Sequence, residues 1–454
     1  MHPRKSEKTD AGATAEAASW AGAAVVDITP RGSVFLFGYP HVPRYSTGVH
    51  DPLECAALFL RSAEGGALFL ANDLIGFSKK FVADVRKRIG AATGLPADAI
   101  MITATHTHSG PVMLDYLSNA GDSVVPKADP AYQQWLAGRM LEAATAAVNA
   151  AVPAEIGLVV ARAEGVGSNR HDPAGPADPE VPVLVARSRA TREPLGCMVV
   201  YGMHPTVLHE DSTLISADFP YFTRRSLRQG GALPAGCPVI YHNGASGNQS
   251  PRHLTRANTL AEAQRLGESL GRAIAGAIPT AAFSGVAAIR CRQRFIELEP
   301  RAFPAPADAL AAVRQTRARF QQLKRENAPR TAVRTAECDV FGAEETAELA
   351  HAAVDGRLAT AIQKCVPAEI QAIAIGPWTF VGWPGEFFVE YGLELKARAP
   401  GTFLITLANG ELQGYIVTAE AAARGVYESS NAVFAPRNGA RFVEATLALL
   451  GPAG

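Results

Sequence analysis

The 454-residue sequence predicts an α/β fold, in which mixed β-sheets are flanked by helices within one large domain. Apolar, strand-like runs alternate along the chain with stretches of helical spacing. Several strands end in polar residues beside a glycine or proline, as is typical of α/β proteins whose sites lie at strand ends. No repeat or low-complexity linker divides the chain. We therefore expect a flexible N-terminal tail over residues 1–19 and a single domain over residues 20–454.

The N-terminal part of the chain supplies the first strands and helices of this pattern. Apolar and β-branched runs predict strands at 22–28, 56–60, 67–71 and 100–104. A helix is predicted over 79–93, because Val82, Val85 and Ile89 recur at helical spacing before a stop at Gly94. A second helix is predicted over about 131–150.

The C-terminal part continues the alternation and adds a helical excursion. Strands are predicted at 196–203, 238–242, 369–375 and 379–383, and a helix at about 257–278. Between residues 300 and 365, two prolines precede two helix-like stretches, at about 307–325 and 343–362. The first is rich in arginine, which we interpret as a solvated helix face. The excursion is expected to be a lid or a packing element.

Composition limits the classes of partner. There are 43 Lys and Arg against 43 Asp and Glu, so no net charge favours nucleic acid or an anionic membrane. No apolar run is long enough to predict a transmembrane helix or a secretory signal, so we expect no stable membrane insertion and a cytoplasmic location. The six cysteines are irregularly spaced and are interpreted as free thiols of a reducing compartment. A homo-oligomer stays open.

The sharpest local signal is the His106-Thr107-His108 sequence, which follows the predicted strand 100–104. In an extended segment, residues i and i+2 point to the same face, so the two imidazoles would project together. Neutral imidazole is a common zinc ligand. The spacing therefore indicates a metal site, although two polar residues in a loop would have the same pattern.

Three further residues allow both a functional and a structural interpretation. His204 follows an apolar strand and is either a ligand or a hydrogen-bonded residue at the strand end. Glu386 stands among large apolar residues, as a metal-bound or paired carboxylate or as a helix cap. Ser250 lies in a glycine-punctuated loop that could present N–H groups to an oxyanion, or that simply connects two elements. A Gly-x-Ser-x-Gly nucleophile elbow is absent there.

A series of collinear motifs resembles the neutral/alkaline non-lysosomal ceramidase family in its N-terminal catalytic domain. The motifs extend along most of the chain, at 26–30 (VDITP), 48–53 (GVHDPL), 104–111 (ATHTHSGP), 169–170 (NR), 204–206 (HPT), 215–218 (ISAD), 247–251 (GNQSP), 384–386 (PGE), 414–418 (GYIVT) and 427–428 (YE). Each motif is weak alone, and their common order is the strong signal.

This resemblance implies a zinc-dependent hydrolase that cleaves a linear amide of the N-acyl amine type through a metal-activated water. It implies zinc ligands at His106, His204, Glu386 and Tyr415. It implies further reaction-centre residues at His108, Arg170, Ser250 and Tyr427. Imidazole, carboxylate and phenol oxygen are acceptable zinc donors, and Arg170 could bind a polar substrate group. Ser250 is interpreted as a positioning group, because no base adjoins it in sequence.

The chain also departs from the family, so the chemistry transfers better than the substrate. Asn248 stands where the family usually has an aspartate. A soluble small-molecule amide is as good a candidate substrate as ceramide. Three alternatives stay open: a metal-independent serine hydrolase acting through Ser250, a zinc site that forms or cyclises an amide, and a non-catalytic binding protein.

Overall fold

The computed structural model describes residues 18–451, apart from the side chains of residues 330 and 331. The strands are β1 (Ser19–Asp27), β2 (Leu36–Phe37), β3 (Gly48–Val49), β4 (Glu54–Ser62), β5 (Gly65–Asn72), β6 (Ile100–Ala104), β7 (Gly110–Pro111), β8 (Val152–Arg162), β9 (Ser168–Asn169), β10 (Glu180–Ser188), β11 (Pro194–Tyr201), β12 (Leu214–Ile215), β13 (Val239–Asn243), β14 (Gln249–Ser250), β15 (Ala282–Ser284), β16 (Ile289–Ile296), β17 (Ala368–Ile375), β18 (Trp378–Gly382), β19 (Glu386–Phe387), β20 (Thr402–Ile405) and β21 (Tyr415–Ile416).

The helices are α1 (Lys79–Thr93), α2 (Pro130–Asn149), α3 (Phe219–Gln229), α4 (Leu260–Ala277), α5 (Pro306–Arg325), α6 (Arg330–Asp355), α7 (Arg357–Cys365), α8 (Val389–Arg398), α9 (Ala419–Arg424), α10 (Tyr427–Asn431) and α11 (Arg437–Leu450). Short 3₁₀ turns lie at Ala97–Ala99, Leu117–Asn119 and Ile278–Thr280. The predicted α/β fold, with mixed sheets flanked by helices, is confirmed.

The largest sheet has the strand order β13-β11-β10-β8-β1-β4-β5-β6, with β15 added beside β8. The outermost pairs at its two ends, β11–β13 and β5–β6, are parallel, and the central pairs are antiparallel. The sheet curls until its end strands face each other. The contact that shows this joins Thr103 Oγ1 on β6 to His242 Nδ1 on β13, at 2.7 Å. The carboxyl ends of β6 and β11 are thereby brought to the same region of the molecule.

A short segment after β20 closes the gap between the two end strands. On one side, the N–H of Asn409 donates to the carbonyl of Ile102 on β6. On the other side, the N–H of Thr406 donates to the carbonyl of Asn243 on β13. β20 itself belongs to a second sheet, in the order β16-β17-β18-β20, so this segment ties the second sheet to the first.

Helices cover both halves of the large sheet. A core of aliphatic and aromatic side chains lies between β4, β5 and β6 and the helices α1 and α2. Another lies between β10, β11 and β13 and the helices α3 and α4. Helices α3 and α4 cross closely at Gly267, where a Cβ atom would lie 2.5 Å from the carbonyl oxygen of Phe219. A third core joins α8 and α11 to the second sheet and to β19 and β21.

The sequence pattern located many elements and misplaced one helix. Helix 79–93 and strand 100–104 have the predicted bounds, and Gly94 ends α1 with a φ of 77°. The helix predicted at about 343–362 is instead two helices, α6 and α7, divided at Gly356, whose φ of 87° breaks the helical path. Strands β8, β10 and β16 and helix α3 were not predicted. The predicted tail falls outside the described residues, except that Ser19 begins β1.

The structure can be compared with the composition analysis for the cysteines and for membrane-spanning helices. All six cysteines are free, and four of them are buried. Among residues 18–451, no helix combines the length and the apolar character that crossing a bilayer requires.

Candidate metal centre and active site

His106 occupies the turn that follows β6. Its backbone is left-handed, with a φ of 71°, so the extended conformation expected for the His-Thr-His segment is wrong. The buried ring is nonetheless fixed, because its Nδ1 atom lies 2.7 Å from the carbonyl oxygen of Ile75. A carbonyl can only accept, so Nδ1 carries the proton and Nε2 presents a lone pair to the site.

His204 has the same arrangement at the end of β11. Its Nδ1 atom lies 2.7 Å from the carbonyl oxygen of Ser246 and 3.1 Å from that of Gln249. Burial lowers the pKa of His204, so the imidazole is neutral, and its Nε2 lone pair is left free. A structural role at the strand end therefore explains the position of Nδ1 of His204. It does not explain the position of Nε2.

Glu386 brings a carboxylate oxygen between the two imidazoles. Its Oε2 atom lies 2.9 Å from Nε2 of His204 and 3.2 Å from Nε2 of His106. The side chain lies on β19 and does not cap a helix, since α8 begins at Val389 with Phe388 as its N-cap. Burial alone would raise the pKa of Glu386, but the neighbouring charge of His106 holds it well below its usual value. Glu386 is therefore a buried carboxylate anion.

These three groups fit a divalent metal ion. The lone pair on Nε2 of His204 faces a carboxylate oxygen that also only accepts, which is unfavourable unless a cation lies between them. Around a tetrahedral zinc ion with bonds of about 2.0–2.1 Å, neighbouring ligand atoms lie about 3.3 Å apart, close to the distances found here. In the metal-free chain, Glu386 raises the pKa of His106 although burial opposes this, so a proton can take the place of the ion.

His108 completes a buried group of three histidines. Ligand atoms of His106, His108 and His204 lie within 4.8 Å of one another, so these residues could hold a metal ion. Neither ring nitrogen of His108 has a hydrogen-bond partner. Burial, together with the two neighbouring histidines, holds the pKa of His108 well below its usual value, so it is neutral. The resemblance assigned His108 to the reaction centre, and the structure also makes it a candidate ligand.

Tyr415 adjoins the same centre from β21. Residues Glu386 and Tyr415 are direct partners in the parallel pair of β19 and β21. The Tyr415 ring lies 6.3 Å from the His204 ring, centroid to centroid, at an angle of 27°. The guanidinium of Arg170 lies over the Tyr415 ring, with its central carbon 5.2 Å from the centroid. The phenol is thus a neighbour of two other predicted ligands, Glu386 and His204, and of Arg170.

Arg170 is held by a buried carboxylate and keeps one nitrogen free. Its Nε atom pairs with Oε1 of Glu428, whose Oε2 lies 2.8 Å from Nε2 of His171. Burial would raise the pKa of Glu428, but Arg170 and His171 hold it at about 2. Nη2 of Arg170 is buried without a hydrogen-bond partner. This N–H group remains available for a substrate oxygen.

Tyr427 and Ser250 make their hydrogen bonds outside the group of three histidines. The hydroxyl of Tyr427 donates to Oε1 of Glu345 at 3.3 Å. Ser250 lies on β14, and its Oγ atom accepts from the backbone N–H of Arg252 at 3.3 Å. Among the described residues, no histidine or carboxylate makes a hydrogen bond to this oxygen, so the structure offers Ser250 no base.

Asn248, where the family usually has an aspartate, has a packing role in this chain. Its Oδ1 atom accepts from the backbone N–H of Val389, and its Nδ2 atom donates to Glu390. Both contacts are with the start of α8. The amide therefore fixes the loop before Ser250 to the helix that follows β19.

Sequence reasoning missed a set of buried polar side chains beside the centre. Atoms without a hydrogen-bond partner occur on Tyr116, Asn119, Glu345, Glu411 and Asn431. Glu345 resembles one more charge on a solvated helix, and Glu411 lies in a polar turn, so nothing in the local pattern marked either as buried. One surface cavity, of about 360 Å³, includes none of the candidate residues. Another, of about 240 Å³, is lined in part by Tyr116 and Asn119.

Comparison with solved structures finds proteins with a similar fold. The chain is similar to the neutral ceramidase from Pseudomonas aeruginosa, with a TM-score of 0.72 and 18% identity, over 95% of this chain and 73% of that one. It is also similar to a structure described as a ceramidase complexed with C2, with a TM-score of 0.72 and 16% identity, over 94% and 74% of the two chains. No protein-family model and no curated protein matches. The predicted likeness to the ceramidase fold is confirmed.

Proposed function

We propose that this protein is a zinc-dependent amidohydrolase that cleaves a linear amide of the N-acyl amine type. The observation that carries the proposal is the approach of Nε2 of His106 and His204 to one carboxylate oxygen of Glu386, within a ceramidase-like fold. Two imidazole lone pairs and a carboxylate are a donor set that zinc prefers.

In this proposal His106, His204, Glu386 and Tyr415 hold the zinc ion. When bound, zinc supplies Lewis acidity, which acidifies a water molecule and polarises a carbonyl group. The carbonyl groups of Ile75 and Ser246 keep both histidines in the tautomer that binds metal. Burial of the histidines excludes bulk water and strengthens each electrostatic interaction in the site.

The remaining side chains bind the substrate and move a proton. The free Nη2 of Arg170 can donate to an oxygen of the substrate, because its partner Glu428 occupies the other side of the guanidinium. The scissile nitrogen must gain a proton to leave as an amine. Neutral His108, with both ring nitrogens free, is suited to relay this proton, and Tyr427 is the second candidate. The geometry supports Ser250 as a positioning group.

Metal content and turnover test the proposal together. Purified protein is expected to carry about one zinc per chain, measured by inductively coupled plasma mass spectrometry. A panel of N-acyl amides that includes ceramide is then assayed with zinc-loaded enzyme, chelated enzyme and chelated enzyme resupplied with zinc. We expect turnover to follow zinc. His106→Ala and His204→Ala lose metal and activity, whereas His351→Ala, on the exposed side of α6, keeps both.

The serine-hydrolase alternative makes the opposite prediction. If Ser250 were the nucleophile, turnover would persist in the chelated enzyme and an acyl-phosphonate probe would label Ser250. Full activity without metal would overturn the proposal of a zinc enzyme.

A further inference from the structure

The helical excursion supplies a buried carboxylate that no residue of the chain neutralises. Glu345 lies on α6 and is 2% exposed. Its Oε1 atom accepts from Tyr427, whereas Oε2 has no hydrogen-bond partner. Among the described residues, no lysine, arginine or histidine forms an ion pair with this side chain. A carboxylate in this position is costly unless a cation from outside the chain reaches it.

The neighbours of Glu345 add a second acceptor and a donor. The side chains of Asn119 and Asn431 adjoin the carboxylate. Oδ1 of Asn431 and Nδ2 of Asn119 are buried and make no hydrogen bond. An ammonium group has three N–H donors and no acceptor, so Oε2 of Glu345 and Oδ1 of Asn431 match two of its donors. Glu345 lies on α6, Asn431 on α10 and Asn119 in the 117–119 turn, so these groups converge from three separate elements.

These groups lie next to the reaction centre. Tyr427 donates a hydrogen bond to Glu345. Its pKa is affected by the charges of Tyr415 and Arg170 at the candidate metal centre. On the other side, Tyr116 precedes the turn that carries Asn119. Burial, together with the charges of Glu386 and Tyr415, raises the pKa of Tyr116. A small surface cavity opens beside Tyr116 and Asn119. Tyr427 begins α10, which packs against β21, the strand that carries Tyr415. A substrate group bound at Glu345 would therefore lie close to the candidate metal centre.

A second buried carboxyl group, that of Glu411, lies near the candidate metal centre, where burial and the charge of Glu386 raise its pKa to about 8. Oε2 of Glu411 is buried and has no hydrogen-bond partner, and no described cationic side chain forms an ion pair with it. Arg170 cannot neutralise this region, because Glu428 already pairs with it. A cationic group bound here would favour the ionised form of both carboxyl groups, whereas a neutral lipid would not.

We propose that Glu345 binds a primary ammonium group of the substrate, so that the enzyme selects N-acyl amides bearing a terminal amine, such as mono-acylated linear diamines. This inference rests on the proposed amidohydrolase function and adds the substrate class. It also gives the helical excursion a role, since α6 forms the wall that recognises the amine side of the substrate.

Three amides that differ in one terminal group test the inference. The probes are N-(4-aminobutyl)acetamide, N-(4-hydroxybutyl)acetamide and N-butylacetamide, with the aminoalkyl chain also varied from two to six carbons. At the best length, the wild-type enzyme is expected to prefer ammonium over hydroxyl by about 100-fold in kcat/KM, because a hydrogen bond between charged groups is stronger than one to a neutral hydroxyl. In Glu345→Gln the ratio falls to about tenfold or less.

Glu344→Gln is the matched control, because Glu344 is the neighbouring residue on α6 and pairs with Arg317 at the surface. It is expected to retain the full preference for ammonium. Circular dichroism and zinc content verify that each variant is folded. Equal ammonium-to-hydroxyl ratios in wild type and Glu345→Gln would overturn the inference.

A binding experiment separates this inference from the proposed function. Isothermal titration of the protein with 1,4-diaminobutane and with 1,4-butanediol requires no turnover. Wild type is expected to bind the diamine and not the diol, and Glu345→Gln to bind the diamine at least tenfold more weakly. If no amide is cleaved but this pattern holds, only the hydrolase proposal fails. If amides are cleaved but the diamine does not bind in this pattern, the proposal of an ammonium site at Glu345 is overturned. The same holds if Glu345→Gln loses a second metal ion, because Glu345 would then be a metal ligand.

Discussion

At the scale of single residues, two backbone carbonyl groups determine what the central histidines can bind. The carbonyl of Ile75 holds the proton of His106 on Nδ1, and the carbonyl of Ser246 does the same for His204. Both carbonyls come from loops that follow other strands of the large sheet. A mutation that moves either loop is therefore expected to weaken metal binding although it changes no ligand.

The buried pair of Arg170 and Glu428 leads to a stability prediction. Glu428→Gln leaves the guanidinium of Arg170 buried without a full counter-charge, and such losses cost about 3–5 kcal/mol. We expect the free energy of unfolding, measured by urea denaturation, to fall by about 3 kcal/mol. Glu394→Gln, in an exposed pair with Arg398, is the control and is expected to cost less than about 1 kcal/mol. Equal costs would contradict the buried ion pair.

Glu345 also makes stability depend on pH. Burial raises its pKa to about 7 in the folded chain, from an ordinary value near 4.5, although hydrogen bonding by Asn431, Tyr427 and Asn119 lowers it. Between these pH values the folded state binds more protons than the unfolded state, so the contribution of Glu345 to stability falls as pH rises.

The difference between wild type and Glu345→Gln isolates this contribution. The free energy of unfolding of wild type, relative to the variant, is expected to fall by about 3 kcal/mol from pH 4.5 to pH 7 and to level off above it. Urea denaturation of both zinc-free proteins across this range measures it. A difference that stays constant with pH would show that Glu345 has the same pKa in both states.

At the scale of elements, the sequence pattern predicted correctly those helix bounds that are determined by residues close in the chain. Helix α1 has its predicted bounds because Ser78 caps its N-terminus and Gly94 adopts the left-handed C-cap. The His-Thr-His segment has no such local determinant. It was expected to be extended, but the backbone N–H of His106 donates to the carbonyl of Leu74, a residue of another loop, and the turn follows from that contact.

The long helix α6 shows the same limit. Its buried positions are largely small residues, such as Ala336, Ala347 and Ala350, so the apolar stripe is too weak to locate its first turns. For the same reason nothing in the local sequence marks Glu345 as buried. Burial of a carboxylate depends on what packs over the helix, which for this face is the 117–119 turn and α10.

The crossing of α3 and α4 provides a matched pair of glycines for the element scale. A Cβ at Gly267 would lie 2.5 Å from the carbonyl oxygen of Phe219 and 2.6 Å from Cβ of Phe222, so Gly267→Ala must push the helices apart. We expect a loss of about 1–3 kcal/mol in the free energy of unfolding. Gly276, on the same helix, has nothing within 4 Å of a built Cβ.

Gly276→Ala is therefore expected to stabilise the protein by about 0.5–1 kcal/mol, because alanine has the higher helix propensity. Urea midpoints of the two variants are compared with wild type. Effects of the same sign at both positions would show that helix propensity, and not the close crossing, determines the response.

At the scale of the whole molecule, the candidate centre depends on the curl of the large sheet. β6 and β11 lie far apart in the strand order, yet the histidines that follow them come within ligand distance. The segment after β20 closes the gap, and β19 and β21 then bring Glu386 and Tyr415 to the same place. No spacing along the chain encodes this closure, so the spacing predicted only His106 and His108. The other ligands came from the resemblance, with His204, Glu386 and Tyr415 uncertain when taken alone.

Because the donors come from four distant segments, zinc is expected to bind the folded chain and not the unfolded one. Its free energy of binding then adds to stability, by about 4 kcal/mol when free zinc exceeds the dissociation constant 1,000-fold. We expect the urea midpoint of the chelated protein to rise steadily with buffered free zinc. In His204→Ala this dependence should be lost, because removal of one imidazole leaves Glu386 without its closest partner. His351→Ala, which alters an exposed histidine, should keep it. A midpoint that ignores zinc in wild type, or that rises equally in His204→Ala, would mean that the metal binds elsewhere and that the curled sheet closes without it.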